Sequence, residues 1–480
     1  MINKFIKSNY LKSIQWGMVS MVITFLNQLV LIPIFLSIFS KEIFGIWIIL
    51  SSMILLIRAI NLGQLNYSSN LINLGNVHEI EDHNNILKVG FNSNIIMSVI
   101  QIITLIIISI PEIFNFFTDI PLDIIKSERL SSCLIIFGLS KIIYQLYNLY
   151  VLRIYEAFDK INKTIKYQGL GEALEFLSLT ISCFIFKDIF YMCLVSFATS
   201  LLYCIYIHKL VVKDKIKYYF RINIFSLKKG LNHIKKSFYL TISFLVEKFT
   251  ESGLNIIVSF FYSLSFLPLF STTRTITNAA IKISNIIAVP LMPQMQKNFS
   301  KNNYNQIYIS FEKYWRISLI IIIIGFTILL PFIEDIYNIW TKNKINFNKN
   351  LFLLIICAVS LQNFNVVLLE YLKKINLTKK LLFINLSKVI CVIIVLSIFG
   401  YYNEVLGIGF SLIIAELITT IFIYLLIKIN FSFIFNNFLY NILFILSLLF
   451  YYETNEFLVF CGSNILIVLI YLRKRNQYVV

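Results

Sequence analysis

Charge is the scarcest ingredient of this chain. Only 14% of its 480 residues are Asp, Glu, Lys or Arg, where a soluble protein keeps roughly a quarter. So little charge cannot cover a water-facing surface of this size. Proline is also scarce, with seven in the whole chain, so long helices can run without interruption. The seven cysteines, Cys133, Cys183, Cys193, Cys204, Cys357, Cys391 and Cys461, form no CxxC pair and sit in or beside apolar runs. They read as buried thiols, with no disulfide framework and no metal site. The four histidines, His78, His83, His208 and His233, fall in or beside connections. No GxxxxGK[ST] loop, HExxH motif or GxSxG elbow occurs, which argues against P-loop, zincin and serine-hydrolase chemistry. No cofactor and no catalytic residue is expected.

In place of charge there are apolar residues: 58% of the chain, with a mean hydropathy of +0.79. They fall into repeated runs near the roughly 20 residues needed to cross a bilayer. The expected fold is an all-α polytopic membrane protein of about fourteen transmembrane helices. Six spans lie within 1–209, six within 238–428 and a shorter pair within 429–480, with a basic stretch at 210–237. The layout is that of two six-helix lobes plus a C-terminal helix pair. Lys4, Lys7 and Lys12 precede the first run, which is too long for a secretory signal and reads as a retained helix.

The net charge of +18 would suit nucleic acid in a soluble protein. Here the basic residues lie between spans, so topology explains them and no nucleic-acid partner is expected. With fourteen spans, one set of alternate connections holds Lys88, Arg153, Lys160, the Lys209–Lys236 cluster, Lys373, Lys374, Lys379, Lys380, Lys428 and Arg473–Arg475. The opposite set holds only Lys41, Lys126, Arg129, Lys187, Lys342, Lys344 and Lys349. The positive-inside rule then puts both termini in the cytoplasm of a bacterial inner-membrane protein. The basic connection could also attract anionic lipid heads.

Ionisable groups inside spans normally face protein or a hydrated cavity. Arg274 lies in the polar run Ser271–Asn278, and Lys282 follows two turns later on the same side of a continuous helix. Lys141 is midway along the fourth span, and Arg58 is near the end of the second. Two cations on a polar stripe suit a cavity that receives an anion; the plainer alternative is snorkelling to the interface. Among carboxylates, Glu247 and Glu251 lie one turn apart with Lys248 between them. Glu172 and Glu175 form a similar pair, and Glu416 is the lone carboxylate of its span. Each is a candidate to bind a coupling proton or sodium ion; the plainer alternative for the Glu247 group is a self-neutralising cluster.

Three stretches carry a resemblance: 33–47 (PIFLSIFSKEIFGIW) followed by Asn61-Leu62-Gly63, the run 270–276 (FSTTRTI) closing on Pro290-Leu291-Met292-Pro293, and the basic connection between two six-helix halves. Together they resemble the polysaccharide (O-antigen-type) flippases of the multidrug/oligosaccharidyl-lipid/polysaccharide exporter superfamily. The resemblance covers about residues 10–430. Many relatives have aspartate where Asn61 stands. The extra C-terminal pair is similar to the fourteen-helix lipid II flippases. The resemblance implies two lobes around a central cavity, alternating access, and a lipid-diphosphate-linked oligosaccharide as cargo, with membrane lipids around it. Arg58, Lys141, Arg274 and Lys282 are the positions that match its cationic cavity. Two rivals stand beside it. A multidrug or small-cation exporter would favour acidic over basic groups. A membrane enzyme polymerising lipid-linked sugars would need paired carboxylates on a sizeable loop, for which Glu453 and Glu456 are the nearest approach.

Overall fold

The computed structural model describes residues 2–74, 80–146, 155, 161–213, 224–375, 377–400, 402–427, 431–454 and 456–473. Arg153, Lys160, Lys428, Lys474, Arg475 and the middle of the basic connection lie outside them. The described residues are helical and turn segments with no strand. In order they are α1 Ile2–Ile38, α2 Lys41–Leu74, α3 Ile80–Ile108, α4 Pro111–Thr118, α5 Leu122–Ser127, α6 Leu130–Tyr144, α7 Ile161–Phe186, α8 Ile189–Lys213, α9 Ile224–Lys248 and, after a π-helical turn at Phe249–Gly253, α10 Leu254–Phe261. Then come α11 Phe266–Thr277, α12 Ala279–Ser300, α13 Tyr304–Leu329, α14 Ile333–Trp340, α15 Lys349–Lys374, α16 Thr378–Phe399, α17 Glu404–Ile427, α18 Phe431–Thr454 and α19 Phe457–Arg473.

Among the described residues, ten helical stretches are long and apolar enough to cross a membrane, and α6 and α19 are shorter apolar helices. The two other expected spans, 238–262 and 266–290, are where the helices break. The first contains the π-helical turn between α9 and α10. The second is divided by a turn at Asn278 between α11 and α12. Polar residues concentrate at both breaks, in keeping with the rule that irregular backbone at membrane depth is tolerated only inside protein or beside water. Tight helix ends use left-handed backbone, as at Asp119 after α4 and Lys187 after α7.

The chain divides into two compact units, Met1–Pro268 and Leu269–Val480. The division falls inside α11, not in the basic connection at 210–237, because α9 packs into the first unit against α2 and α3. Glycine permits this close approach. A Cβ on Gly63 would lie 2.2 Å from Thr241 Cα, and one on Gly230 3.0 Å from the Ser93 amide. Ser68 Oγ also hydrogen-bonds His233 Nε2 at 2.9 Å.

An aromatic column forms part of the first unit's core: Phe35 stacks on Trp47 at 5.1 Å and Trp47 on Phe137 at 5.2 Å. In the second unit Trp315 lies flat on Phe364 at 4.5 Å, and its Nε1 donates to the Phe364 carbonyl at 2.9 Å. That pairing satisfies the indole N–H, as a buried tryptophan requires.

Candidate functional site

In the first unit, α1, α2, α3, α6 and α7 bring together four of the residues singled out from the sequence. Lys141 on α6 is 4% exposed. It forms an ion pair with Glu175 of α7, and its ammonium also lies 4.8 Å from the Phe137 ring centroid. Glu172, nearly one turn before Glu175, accepts hydrogen bonds from Thr24 Oγ1 at 2.6 Å and Ser20 Oγ at 3.3 Å. Arg58 on α2 acts electrostatically on Lys141, Glu172, Glu175 and Tyr144. The cluster therefore balances two cations with two carboxylates, as a buried charge group must.

Amides hold this cluster in place. Gln101 Nε2 of α3 donates to the Ile57 carbonyl at 2.8 Å and to Gln145 Oε1 at 3.1 Å. Gln145 Nε2 donates to the Arg58 carbonyl at 3.0 Å. Asn61 donates to Asn94, whose own amide donates to the Leu146 carbonyl at 2.9 Å. These links run between α2, α3 and α6 beside Arg58. Ser140, adjacent to Lys141, is within 3.0 Å of Ser200 Oγ on α8. A Cβ on Gly171 would sit 2.5 Å from Tyr144 Oη, so only glycine lets that phenol lie against α7.

Beside the Lys141 ammonium, whose partner is the Glu175 carboxylate, further donors in this region are left over. Arg58 Nε and Tyr144 Oη are buried, and neither makes a hydrogen bond. A buried donor without a partner costs roughly 1–3 kcal/mol. A ligand rich in acceptor oxygens would remove that cost.

The second unit has its own buried pair. Lys388 of α16 forms an ion pair with Glu416 of α17. The other Glu416 oxygen accepts from Asn365 Nδ2 of α15 at 2.9 Å, and Asn365 Oδ1 accepts from Thr420 at 2.9 Å. Glu416, the lone carboxylate of its span, is thus paired, with a cation from the neighbouring helix. Glu312 and Arg316 pair within α13 at 2.8 Å.

Arg274 and Lys282 are both half-buried, on α11 and α12, which meet at Asn278; the Asn278 N–H donates to the Arg274 carbonyl at 2.9 Å and the Lys282 N–H to the Asn278 carbonyl at 3.2 Å, so helical hydrogen bonds flank the junction on both sides. The Arg274 guanidinium lies 5.8 Å from the Phe270 ring. Thr272 hydrogen-bonds Tyr337 at 2.6 Å, tying α11 to α14. Lys282 has no ion-pair partner among the described residues. Glu251 pairs with Lys248 at the π-helical turn. Glu247 lies at the end of α9, two residues before that turn begins. Among the described residues no group of His, Cys, Asp or Glu could hold a metal ion.

No family model matches the sequence, and no curated protein does. Solved structures match over nearly the whole chain. The lipid II flippase MurJ, in an inward closed conformation, is 16% identical, with 96% of this chain and 98% of that one covered and a TM-score of 0.68. The chain shares the fold of this flippase. A point mutant of the Vibrio cholerae MATE transporter VcmN superposes over 90% of this chain and 99% of its own, at 10% identity and a TM-score of 0.64. A MOP superfamily transporter from Pyrococcus furiosus, described by the reversed polarity of its binding pocket, covers 89% of this chain and 96% of its own at 13% identity and a TM-score of 0.63. A many-helix membrane protein with this fold matches the architecture expected from hydropathy.

Proposed function

We propose that the protein moves a lipid-diphosphate-linked oligosaccharide, an O-antigen or capsule repeat unit, from the cytoplasmic to the outer leaflet of a bacterial inner membrane by alternating access. The observation that carries this reading is the pair of orphaned buried donors, Arg58 Nε and Tyr144 Oη, beside the Lys141–Glu175 ion pair. A sugar headgroup cannot cross hydrocarbon without replacing the water on its hydroxyls, and a diphosphate needs cations in that path. Arg58 supplies an unsatisfied guanidinium donor suited to phosphate oxygens. Lys141 holds Glu175 as an internal counter-ion and exchanges it for the passenger's phosphate. Release re-forms the pair and resets the site. Lys282, and Arg274 in its polar run, are further cationic positions on the passenger's path. The likeness to the lipid II flippase, extending over 96% of this chain, supports a diphosphate-lipid cargo. The bias of Lys and Arg among the connections supports cytoplasmic termini.

A second reading has its own support. Glu172 and Glu175 are half-buried carboxylates of the first unit, and MATE transporters share the fold, which suits a multidrug or small-cation exporter. Deleting the gene and analysing the lipid-linked intermediates decides between the two. The flippase reading expects an oligosaccharide-diphosphate lipid to accumulate in the cytoplasmic leaflet. Unchanged lipid intermediates together with drug hypersensitivity would favour the exporter.

A further inference from the structure

The facing stripes of α2 and α3 are polar through the middle of the first unit. Asn61, Gln64 and Ser68 recur on one face of α2, and Gly90, Asn94, Ser98 and Gln101 on one face of α3. The helices run antiparallel and pair in register: Gln101 with Ile57, Asn94 with Asn61, Gly90 with Gln64. Asn61, Gln64, Asn94, Ser98 and Gln101 are all buried, whereas the outer face of α3 is apolar and exposed at Val99, Ile103 and Ile106.

Backbone carbonyls, which can only accept, fix how each amide is turned. Gln101 Nε2 donates to the Ile57 carbonyl at 2.8 Å and Gln64 Nε2 to the Gly90 carbonyl at 3.2 Å. Asn94 Nδ2 donates to the Leu146 carbonyl at 2.9 Å, so Asn94 Oδ1 must accept from Asn61 Nδ2. That leaves the side-chain oxygens of Asn61, Gln64 and Gln101 as buried acceptors with no donor, and Ser98 Oγ as a buried hydroxyl with no partner. Flipping an amide does not help, because it turns an oxygen toward a carbonyl.

What these atoms lack is a donor. A bound cation would upset the neighbouring cluster, in which Arg58 and Lys141 already balance Glu172 and Glu175. Water brings donors without charge, and buried water typically bridges polar groups left over by the fold. Asn61 and Gln64 lie nearly one turn apart, as do Ser98 and Gln101, and a turn rises about 5.4 Å. One water spans that length with two hydrogen bonds of roughly 2.8 Å each.

We infer that the seam between α2 and α3 binds a short file of water molecules, held by Asn61, Gln64, Ser98 and Gln101. It is a wet path inside the first unit, running from the Arg58 carbonyl, which Gln101 Nε2 also approaches, toward the Ser68–His233 contact. The site does not depend on what the protein transports.

The test is radiolytic hydroxyl labelling of the purified full chain in nanodiscs, read by mass spectrometry at Met97. That residue is 4% exposed and lies on the seam face of α3, three residues after Asn94. Met192 of α8, with no exposure, is the dry reference. Wild-type Met97 should be oxidised many times faster than Met192, because the radicals form from water. Gln64→Leu combined with Ser98→Ala should lose most of that excess and leave Met192 unchanged. Ser98→Ala alone should unfold at a lower temperature than wild type, since it takes a partner from bound water; in a dry seam it would remove a stranded hydroxyl and stabilise. Equal labelling of Met97 and Met192, undiminished Met97 labelling in the double variant, or a Ser98→Ala protein as stable as wild type or more so would overturn the proposal. So would stabilisation of the wild type by sodium or potassium chloride over choline chloride that the double variant lacks, which would assign the oxygens to a cation.

Discussion

Replacing Glu175 by Gln separates the two transport readings by sign. In the empty protein the change leaves the Lys141 ammonium 4% exposed and without its carboxylate, with the Arg58 charge acting on it unopposed at that position. Removing one member of a buried ion pair costs roughly 3–5 kcal/mol, so the purified variant should unfold at a clearly lower temperature. An anionic passenger then supplies the missing charge and recovers part of that loss. Its affinity should rise by up to about a hundredfold to a thousandfold, since each 1.4 kcal/mol is tenfold. Turnover should fall, because release no longer re-forms the pair. Thermal unfolding with and without a lipid-diphosphate oligosaccharide reads both effects: a destabilised empty protein and a larger ligand-induced rise. A variant that binds the lipid more weakly than wild type, or is as stable as wild type when empty, would refute the exchange of counter-ions. Under the cation-exporter reading the same change removes a cation-binding carboxylate and weakens drug binding instead.

Arg58→Ala should abolish surface polysaccharide and lower stability somewhat, because Glu172 and Glu175 lose one of the cluster's two cations; immunoblotting of the membrane fraction checks that the inserted protein is still present. Lys388→Ala should destabilise the second unit by roughly 3–5 kcal/mol by stranding Glu416, and Lys388→Met with Glu416→Leu should recover most of it; a thermal-shift series measures both. Gly63→Ala should be more damaging than Gly171→Ala, because its methyl would strike the Thr241 backbone at 2.2 Å whereas the latter meets the ends of the Tyr144 and Tyr203 side chains at 2.5 and 2.8 Å; yields of folded protein on size exclusion rank them. Burial, reinforced by Lys236, pushes the His233 imidazole down to about 4. Its contribution is therefore full above pH 6.5 and is lost as pH falls toward 4, by up to about 1.4 kcal/mol per pH unit. His233→Asn should flatten the acid limb of the stability profile.

The membrane fold was legible because hydrophobic run length is a one-dimensional property. Each span could be counted without knowing its neighbours, and the counts fail only where α9–α10 and α11–α12 break. Partnerships were not legible. Lys141 and Glu175 each stood out as a costly charge inside a span, but they lie on different helices and nothing in their spacing shows that they neutralise each other. The same holds for Lys388 and Glu416. Arg274 and Lys282 were placed on one helix from the sequence; they fall on α11 and α12, which meet at Asn278 with a helical hydrogen bond on either side. Gln101, which donates beside Arg58, and Asn94, which accepts from Asn61, were missed because uncharged amides inside spans attract less notice than charges; Gln145 stood out only as a polar neighbour of Lys141. Their presence within otherwise apolar runs was the available signal.

The most direct test is flipping itself: purified protein in liposomes, with a fluorescent polyprenyl-diphosphate oligosaccharide in both leaflets and a membrane-impermeant quencher outside. The account predicts that wild-type protein makes nearly all of the lipid accessible to the quencher while Arg58→Ala leaves about half protected, as in protein-free liposomes. Protection of the same half by wild-type protein, or full quenching with Arg58→Ala, would contradict it.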